Sequence, residues 1–201
     1  SGAITNTGSL SGGTVSLTAQ AGSILNSDTI NTYLVQGGTQ GQLASVGTIT
    51  ATGAASLSAA KDITFTVGVL TTGSALSVLA GDGLTLATTT VQQAAAVSGK
   101  SLSLSGSQTQ NYGTTVSAGG NATLAALGGD LKAAGATLTS EGSTALLAGK
   151  TLDLGSVTNS QSSAISGSKS GFLTHSSFSN SQSSSTDVGT TVAAGKDLTA
   201  V

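Results

Sequence analysis

The chain has 201 residues with 8 acids and 6 bases, every base a lysine, for a net charge of −2. That balance excludes a basic nucleic-acid footprint or a basic membrane patch. The chain has no cysteine and no proline, so no disulfide holds it and nothing interrupts long backbone ladders.

The pattern starts at once. Over residues 1–25, Gly12-Gly-Thr-Val-Ser-Leu17 supplies two inward residues and Gly22-Ser-Ile24 opens the next unit. Asn26 to Ser45 is less regular: Tyr33-Leu-Val35 lies between polar stretches, and Gly37-Gly-Thr-Gln-Gly41 reads as a loop. From Val46 to Ala87 apolar residues alternate cleanly, the mark of strands with one buried face. Thr88 to Val97 reads as strand despite its Ala and Gln, because Thr and Val favour strands and no cap precedes it.

A short motif recurs: a small residue, Gly, a polar residue, any residue, Leu. It stands at Ala80-Gly-Asp-Gly-Leu84, Ser98-Gly-Lys-Ser-Leu102, Ala148-Gly-Lys-Thr-Leu152 and Ala194-Gly-Lys-Asp-Leu198, with Ala59-Ala-Lys-Asp-Ile63 as a variant. Ile63 and Leu84 are 21 residues apart, as are Leu131 and Leu152. Short strands separated by corners at such a period predict an all-β fold, a parallel β-helix (β-solenoid) with about 20 residues per coil. Roughly eight to ten coils would give a rod about 40 to 50 Å long. Five aromatics suffice for such a fold, since its narrow interior is filled by stacked Val, Ile, Leu and Ala. Leu84, Leu131 and Leu152 are predicted inward, Lys132 outward. Lys61, Lys100, Lys150, Lys196 and Asp82 fall in the solvent-facing corner slot.

One irregular Ser-rich excursion breaks the repeat, giving three segments: coils over 1–155, an arm or loop over 156–187, and a resumed coil over 188–201. The arm is expected to be the most mobile part. It carries the candidate partner contacts Lys169, Phe172, His175 and Phe178. Large rings on a small, polar segment are the usual anchors of a recognition surface. Gly113-Thr-Thr-Val116 and Gly189-Thr-Thr-Val192 match each other on either side of it.

No catalytic, cofactor or metal residue is assigned. His175 with Asp187 and a serine would be the only Ser-His-Asp set, and it reads as a loop histidine. Gly119-Gly-Asn121 and Gly128-Gly-Asp130 match calcium-binding β-helix repeats only in part and read as tight corners. The acids are scattered over corners, and no arginine is available to hold an anionic sugar. A carbohydrate-active β-helix enzyme therefore stands as the alternative to a structural module.

At Thr114-Thr-Val-Ser-Ala-Gly-Gly-Asn-Ala-Thr-Leu124 and Ala194-Gly-Lys-Asp-Leu-Thr-Ala200 the chain resembles the haemagglutinin repeats of filamentous haemagglutinins. The Ser-rich stretch followed by Gly-Thr-Thr-Val is similar to the repeats of contact-dependent growth inhibition exoproteins. The resemblance implies a right-handed parallel β-helix, a segment of a longer array in an adhesin, a virulence factor of Gram-negative bacteria. It implies export by two-partner secretion through an outer-membrane transporter, and display at the cell surface. The implied target is a host or neighbouring-bacterium surface, protein or glycan, with no nucleic acid, no cofactor and no catalysis. End-to-end self-association of the chain is expected from open strand edges.

Overall fold

The computed structural model describes residues 2–201, which form strands joined by turns and bends, without a helix. The chain circulates through three short strands at a time. The first circuit is β1 (Ile4–Asn6), β2 (Ser9–Gly12) and β3 (Val15–Ala19). The second begins with β4 (Ile24–Asn26), leaves for a hairpin of β5 (Thr29–Val35) and β6 (Gly38–Ser45), and resumes with β7 (Thr48–Ala51) and β8 (Ala55–Ala59). The third is β9 (Ile63–Thr66), β10 (Val69–Thr72) and β11 (Leu76–Ala80). The fourth has β12 (Leu84–Ala87), a hairpin of β13 (Thr89–Ser98) and β14 (Leu102–Tyr112), then β15 (Thr115–Ala118) and β16 (Ala122–Ala126). The fifth is β17 (Leu131–Ala134), β18 (Thr137–Ser140) and β19 (Thr144–Ala148). In the sixth, β20 (Leu152–Ser170) runs straight on into a hairpin with β21 (His175–Gly189), followed by β22 (Thr191–Ala194) and β23 (Leu198–Ala200).

Equivalent strands of successive circuits pair in parallel, giving three stacks in the orders β1-β4-β9-β12-β17-β20, β2-β7-β10-β15-β18-β22 and β3-β8-β11-β16-β19-β23. Register is strict. Ile4, Ile24, Ile63, Leu84, Leu131 and Leu152 form one column. Leu10, Ile49, Leu70, Val116, Leu138 and Val192 form the second. Leu17, Leu57, Val78, Leu124, Leu146 and Ala200 form the third. A one-residue slip would turn every one of these side chains to water, so apolar alternation fixes the register. The middle of each column is fully buried, with Ile49, Leu57, Ile63, Leu70, Leu84 and Leu124 at 0 % exposure.

The stack is six strands deep, about 29 Å at about 4.8 Å per strand, not the eight to ten coils that length alone suggests. The residues missing from it lie in three antiparallel hairpins rather than one excursion. Gly38 to Gly41 is strand and not loop, and the excursion over 156–187 is a hairpin pairing Ser156 with Gly189 through Ser170 with His175. Residues 1–155 likewise hold two further hairpins.

Corner chemistry differs by circuit. Asn6 Nδ2 donates to Asn26 Oδ1 at 2.6 Å, and Asn26 Nδ2 donates to the Gly47 carbonyl at 2.7 Å. Both amides are buried, and the next residue in their column is Phe65. Val67 and Gly135 take equivalent turn positions with φ of 48° and 60°. A Cβ on Gly135 would come within 2.6 Å of Val157 Cγ2 and 3.1 Å of Thr88 Cγ2. Gly135→Ala is expected to cost about 2 kcal/mol through left-handed strain and crowding, read as a lower urea midpoint with an unchanged m-value.

Candidate functional site: a lateral sheet of three hairpins

All three hairpins leave from the same corner, between the first and second strands of a circuit, and they leave from the second, fourth and sixth circuits. Circuits without a hairpin lie between them. Exit points are thus two strand spacings apart, about 9.6 Å, which is the width of one two-stranded hairpin. The outgoing strand of each hairpin therefore meets the returning strand of the one before. β13 pairs antiparallel with β6, and β20 with β14, so β5-β6-β13-β14-β20-β21 is a single antiparallel sheet standing off the stack.

Its rows are aligned. Tyr33, Gln40, Gln93, Gln108, Gln161 and Ser184 lie opposite one another across all six strands. Tyr33, Gln93 and Gln161 each follow by seven residues the inward positions Asn26, Leu86 and Leu154, so the hairpins repeat by translation along the stack. Four neighbouring strands thus carry a glutamine ladder on one face. Further out on that face lies the row Val97, Leu104, Ile165 and Asn180, with Val97 and Leu104 exposed. The opposite face is small and flat: Ala94, Ser107, Ser162 and Ser183 form one row and Ala96, Ser105, Ala164 and Ser181 another.

The hairpins lengthen along the stack, with 7, 10 and 15 paired positions. The third overhangs its neighbours and carries all four predicted contact residues. Phe172 is fully exposed at the tip turn, 100 % by area, beside Leu173 at 88 %. His175 is exposed at the start of β21, and Lys169 is exposed near the end of β20. Phe178 lies over Gly167, where a Cβ would come within 2.5 Å of its ring. It braces the hairpin itself rather than pinning it to the stack. A groove of about 490 Å³ runs past Phe178 and is also lined by Lys100, Leu102 and Gly167. The structure therefore brings Phe178 next to Leu102 and Lys100, residues outside the predicted set. No sequence signal linked these two hairpins, because their contact depends on circuits being counted correctly.

Lys100 is in fact a hairpin-tip residue, next to Gly99, whose N–H donates to the Leu102 carbonyl at 2.7 Å. It is not in a coil corner. The paired Gly-Thr-Thr-Val segments mark hairpin returns. Thr114 Oγ1 donates toward the Ala87 and Phe65 carbonyls at 2.8 and 3.2 Å, and Thr190 Oγ1 toward those of Gly155 and Ala133 at 2.8 and 2.9 Å. These hydroxyls tie each returning strand to the stack. In the first hairpin Gly47 stands there instead, and a Cβ would meet Asn26 Oδ1 at 2.7 Å. The Asn26 amide takes over the tie.

His175 and Asp187 lie 12 positions apart on β21, about 40 Å along an extended strand, and Asp187 accepts from Thr158. They do not meet. Corner polar groups serve the backbone: Asn121 Oδ1 accepts from Ser143 N at 3.0 Å and Asp62 Oδ1 from Gly83 N at 3.0 Å. Lys132 Nζ and Asp130 Oδ2 pair at 2.9 Å. The hydrogen bond from Lys132 holds the Asp130 carboxyl below its ordinary range. The pair's contribution is present above the ordinary carboxyl range and is lost as pH falls through the lowered value. It is small because both groups are exposed. Among the described residues no three His, Cys, Asp or Glu come together as a metal site. No family model, curated protein or solved structure matches this chain.

Proposed function

We propose that the chain is a right-handed parallel β-helix of about 20 to 22 residues per uninterrupted coil. On this reading it is a structural and interaction segment of a secreted bacterial surface exoprotein of the filamentous haemagglutinin type. The observation that carries this reading is the lateral sheet: a rigid parallel stack holds three hairpins in register and lifts exposed rings and a glutamine ladder clear of the rod. Broad, mostly uncharged surfaces of this kind suit adhesion better than turnover. The stack serves as filament or stalk, and the third hairpin contacts a host or bacterial surface through Lys169, Phe172, His175 and Phe178, with Leu102 beside them. The resemblance to haemagglutinin repeats supports export through a two-partner-secretion transporter and display outside the Gram-negative outer membrane, for adhesion or contact-dependent toxin delivery.

A shortened hairpin tests this. Replacing Ser162–Ser183 with Asn-Gly leaves Gln161 opposite Ser184, joined by a favoured two-residue turn. The variant should keep its strand-type circular dichroism and a melting temperature within a few degrees of the parent. It should lose attachment to epithelial cells and to Gram-negative bacteria. Undiminished attachment would remove the third hairpin from the contact surface. Release of reducing ends from a polysaccharide panel by the parent chain would favour the enzyme instead.

A further inference from the structure

We propose that the face of the lateral sheet carrying the glutamine row is a binding groove for a neutral, extended β-linked glycan, which lies across the strands and along the axis of the stack. The inference deepens the adhesion reading above, on which it rests, by naming a ligand class for that surface. It starts from three neighbouring rows on one face. Gln40, Gln93, Gln108 and Gln161 form the first. Two positions further out, Gly38, Ala95, Gly106 and Ser163 form the second. Two further out again, Val97, Leu104 and Ile165 form the third. Long amides on one side and branched apolar side chains on the other thus wall a floor of small residues. The two wall rows are about 14 Å apart between backbones, at about 3.4 Å per residue. A depression of about 270 Å³ lies along the amide wall, lined by Gln40, Gln93, Gln108, Gln161, Ala95 and Gly106.

Chemistry selects the ligand. No residue of the three rows is charged. A glutamine amide both donates and accepts, as a sugar hydroxyl does, and the apolar wall suits the C–H edge of a pyranose. Among the described residues, the one bond that these four amides make is long, from Gln93 Nε2 to the Gly41 carbonyl at 3.4 Å. Their hydrogen-bonding capacity is therefore open to a ligand. Spacing decides between a glycan and a peptide. The amides recur once per strand, about 4.8 Å, close to the advance of one pyranose in an extended β-1,4-linked chain. An extended peptide advances about 3.3 Å per residue and repeats its face every second residue, so it falls out of step with the amides.

The groove depends on no strand edge. Each of β6, β13, β14 and β20 has a partner strand on both sides, and further hairpins in a longer array would lengthen the groove without covering it. Ile165, at its outer wall, lies four positions short of Lys169 on β20. A glycan in the groove therefore leaves the tip of the third hairpin free.

Isothermal titration calorimetry of the full chain with cellohexaose and with chitohexaose tests this. The parent should bind at least one of the two, equally at low and high salt because no charge takes part. A Cβ at Gly106 would meet only the Ser162 carbonyl oxygen, at 3.6 Å, an ordinary contact. Gly106→Leu therefore fills the floor without straining the strand, and it should abolish binding. Gln108→Ala with Gln161→Ala should weaken binding at least tenfold. Ser105→Leu, on the opposite face, should bind as the parent does. All three variants should keep strand-type circular dichroism. A parent that binds neither hexaose at millimolar concentration overturns the inference, and so does a folded Gly106→Leu variant that binds undiminished. Tighter binding of an uncharged peptide rich in Ser, Thr and Asn overturns it in favour of a protein partner. Cell attachment separates this inference from the reading above. Hexaose binding by the parent, with undiminished attachment of the hairpin-shortened chain, supports the groove and sinks the third hairpin as contact surface. No hexaose binding, with attachment lost on shortening, does the reverse. Should Gly106→Leu fail to fold, the glutamine pair decides, because it only shortens exposed side chains.

Discussion

Leu131→Asp is expected to unfold most of the chain at room temperature, whereas Lys132→Ala, one residue on, leaves it folded. Leu131 is 1 % exposed and lies between Leu84 and Leu152 in its column. A carboxylate there has no donor and no counter-ion within the apolar stack. Burying such a group costs upward of about 4 kcal/mol, a large share of the 5 to 15 kcal/mol that typically holds a domain together. Lys132 faces water with its ammonium on Asp130, and losing an exposed, solvent-screened pair changes stability little. Alanine is the right control, because Lys132 also lies opposite Asp153 and an acid there would join two others. Urea titration of both proteins reads the difference. Equal midpoints would show that the inward register is wrong.

The second large effect is expected at Asn26. Asn26→Ala removes the acceptor of the Asn6 amide and the donor to the Gly47 carbonyl together, in a site where Asn26 is 0 % exposed. Asn6 keeps a longer contact to the Thr48 carbonyl at 3.2 Å, and the Gly47 carbonyl keeps the Val69 N–H at 3.0 Å, so neither is left bare. Each lost hydrogen bond costs about 1 kcal/mol, and the cavity adds to them, for about 2 to 3 kcal/mol in all. The loss should fall on the first hairpin, since this amide ties β7 back to the stack. Hydrogen exchange should therefore speed up across Thr29–Ser45 more than across Thr89–Tyr112. Uniform acceleration would argue against a local tie.

The parallel stack was legible because burial imposes a two-residue alternation on every wall strand, and that alternation survives in the sequence. Leu84, Leu131 and Leu152, equivalent inward positions by their spacing in the sequence, share one column. The hairpins were not legible, and turn chemistry explains why. A tight turn asks only for small residues, Gly and a polar group, whatever the next strand pairs with. The small-Gly-polar-x-Leu motif at Ala148–Leu152 makes a corner between the third and first strands of successive circuits. At Ala194–Leu198 it makes one between the second and third strands, and at Ser98–Leu102 it closes a hairpin. The hairpin strands also alternate, as in Val91-Gln-Gln-Ala-Ala-Ala-Val97, and so pass for wall. The first hairpin shows only as the less regular stretch Asn26 to Ser45, and the third, too long and too rich in serine to pass for wall, stands apart. The seven-residue offset from Asn26, Leu86 and Leu154 to the aligned row was present in the sequence, but it has meaning only once those three residues are known to share a column.

A cysteine pair tests the lateral sheet most directly, because the chain has no cysteine of its own. Gln108 on the second hairpin lies directly opposite Gln161 on the third. Opposed residues in an antiparallel pair have Cα atoms about 4.5 to 5.5 Å apart, within the reach of a disulfide. Gln108→Cys with Gln161→Cys should form an intramolecular disulfide under mild oxidation. Gln108→Cys with Ser160→Cys should not, since those side chains leave opposite faces. Crosslinking of the first pair alone is the result predicted by three hairpins held side by side. Equal yields from both pairs, or none from either, would contradict it.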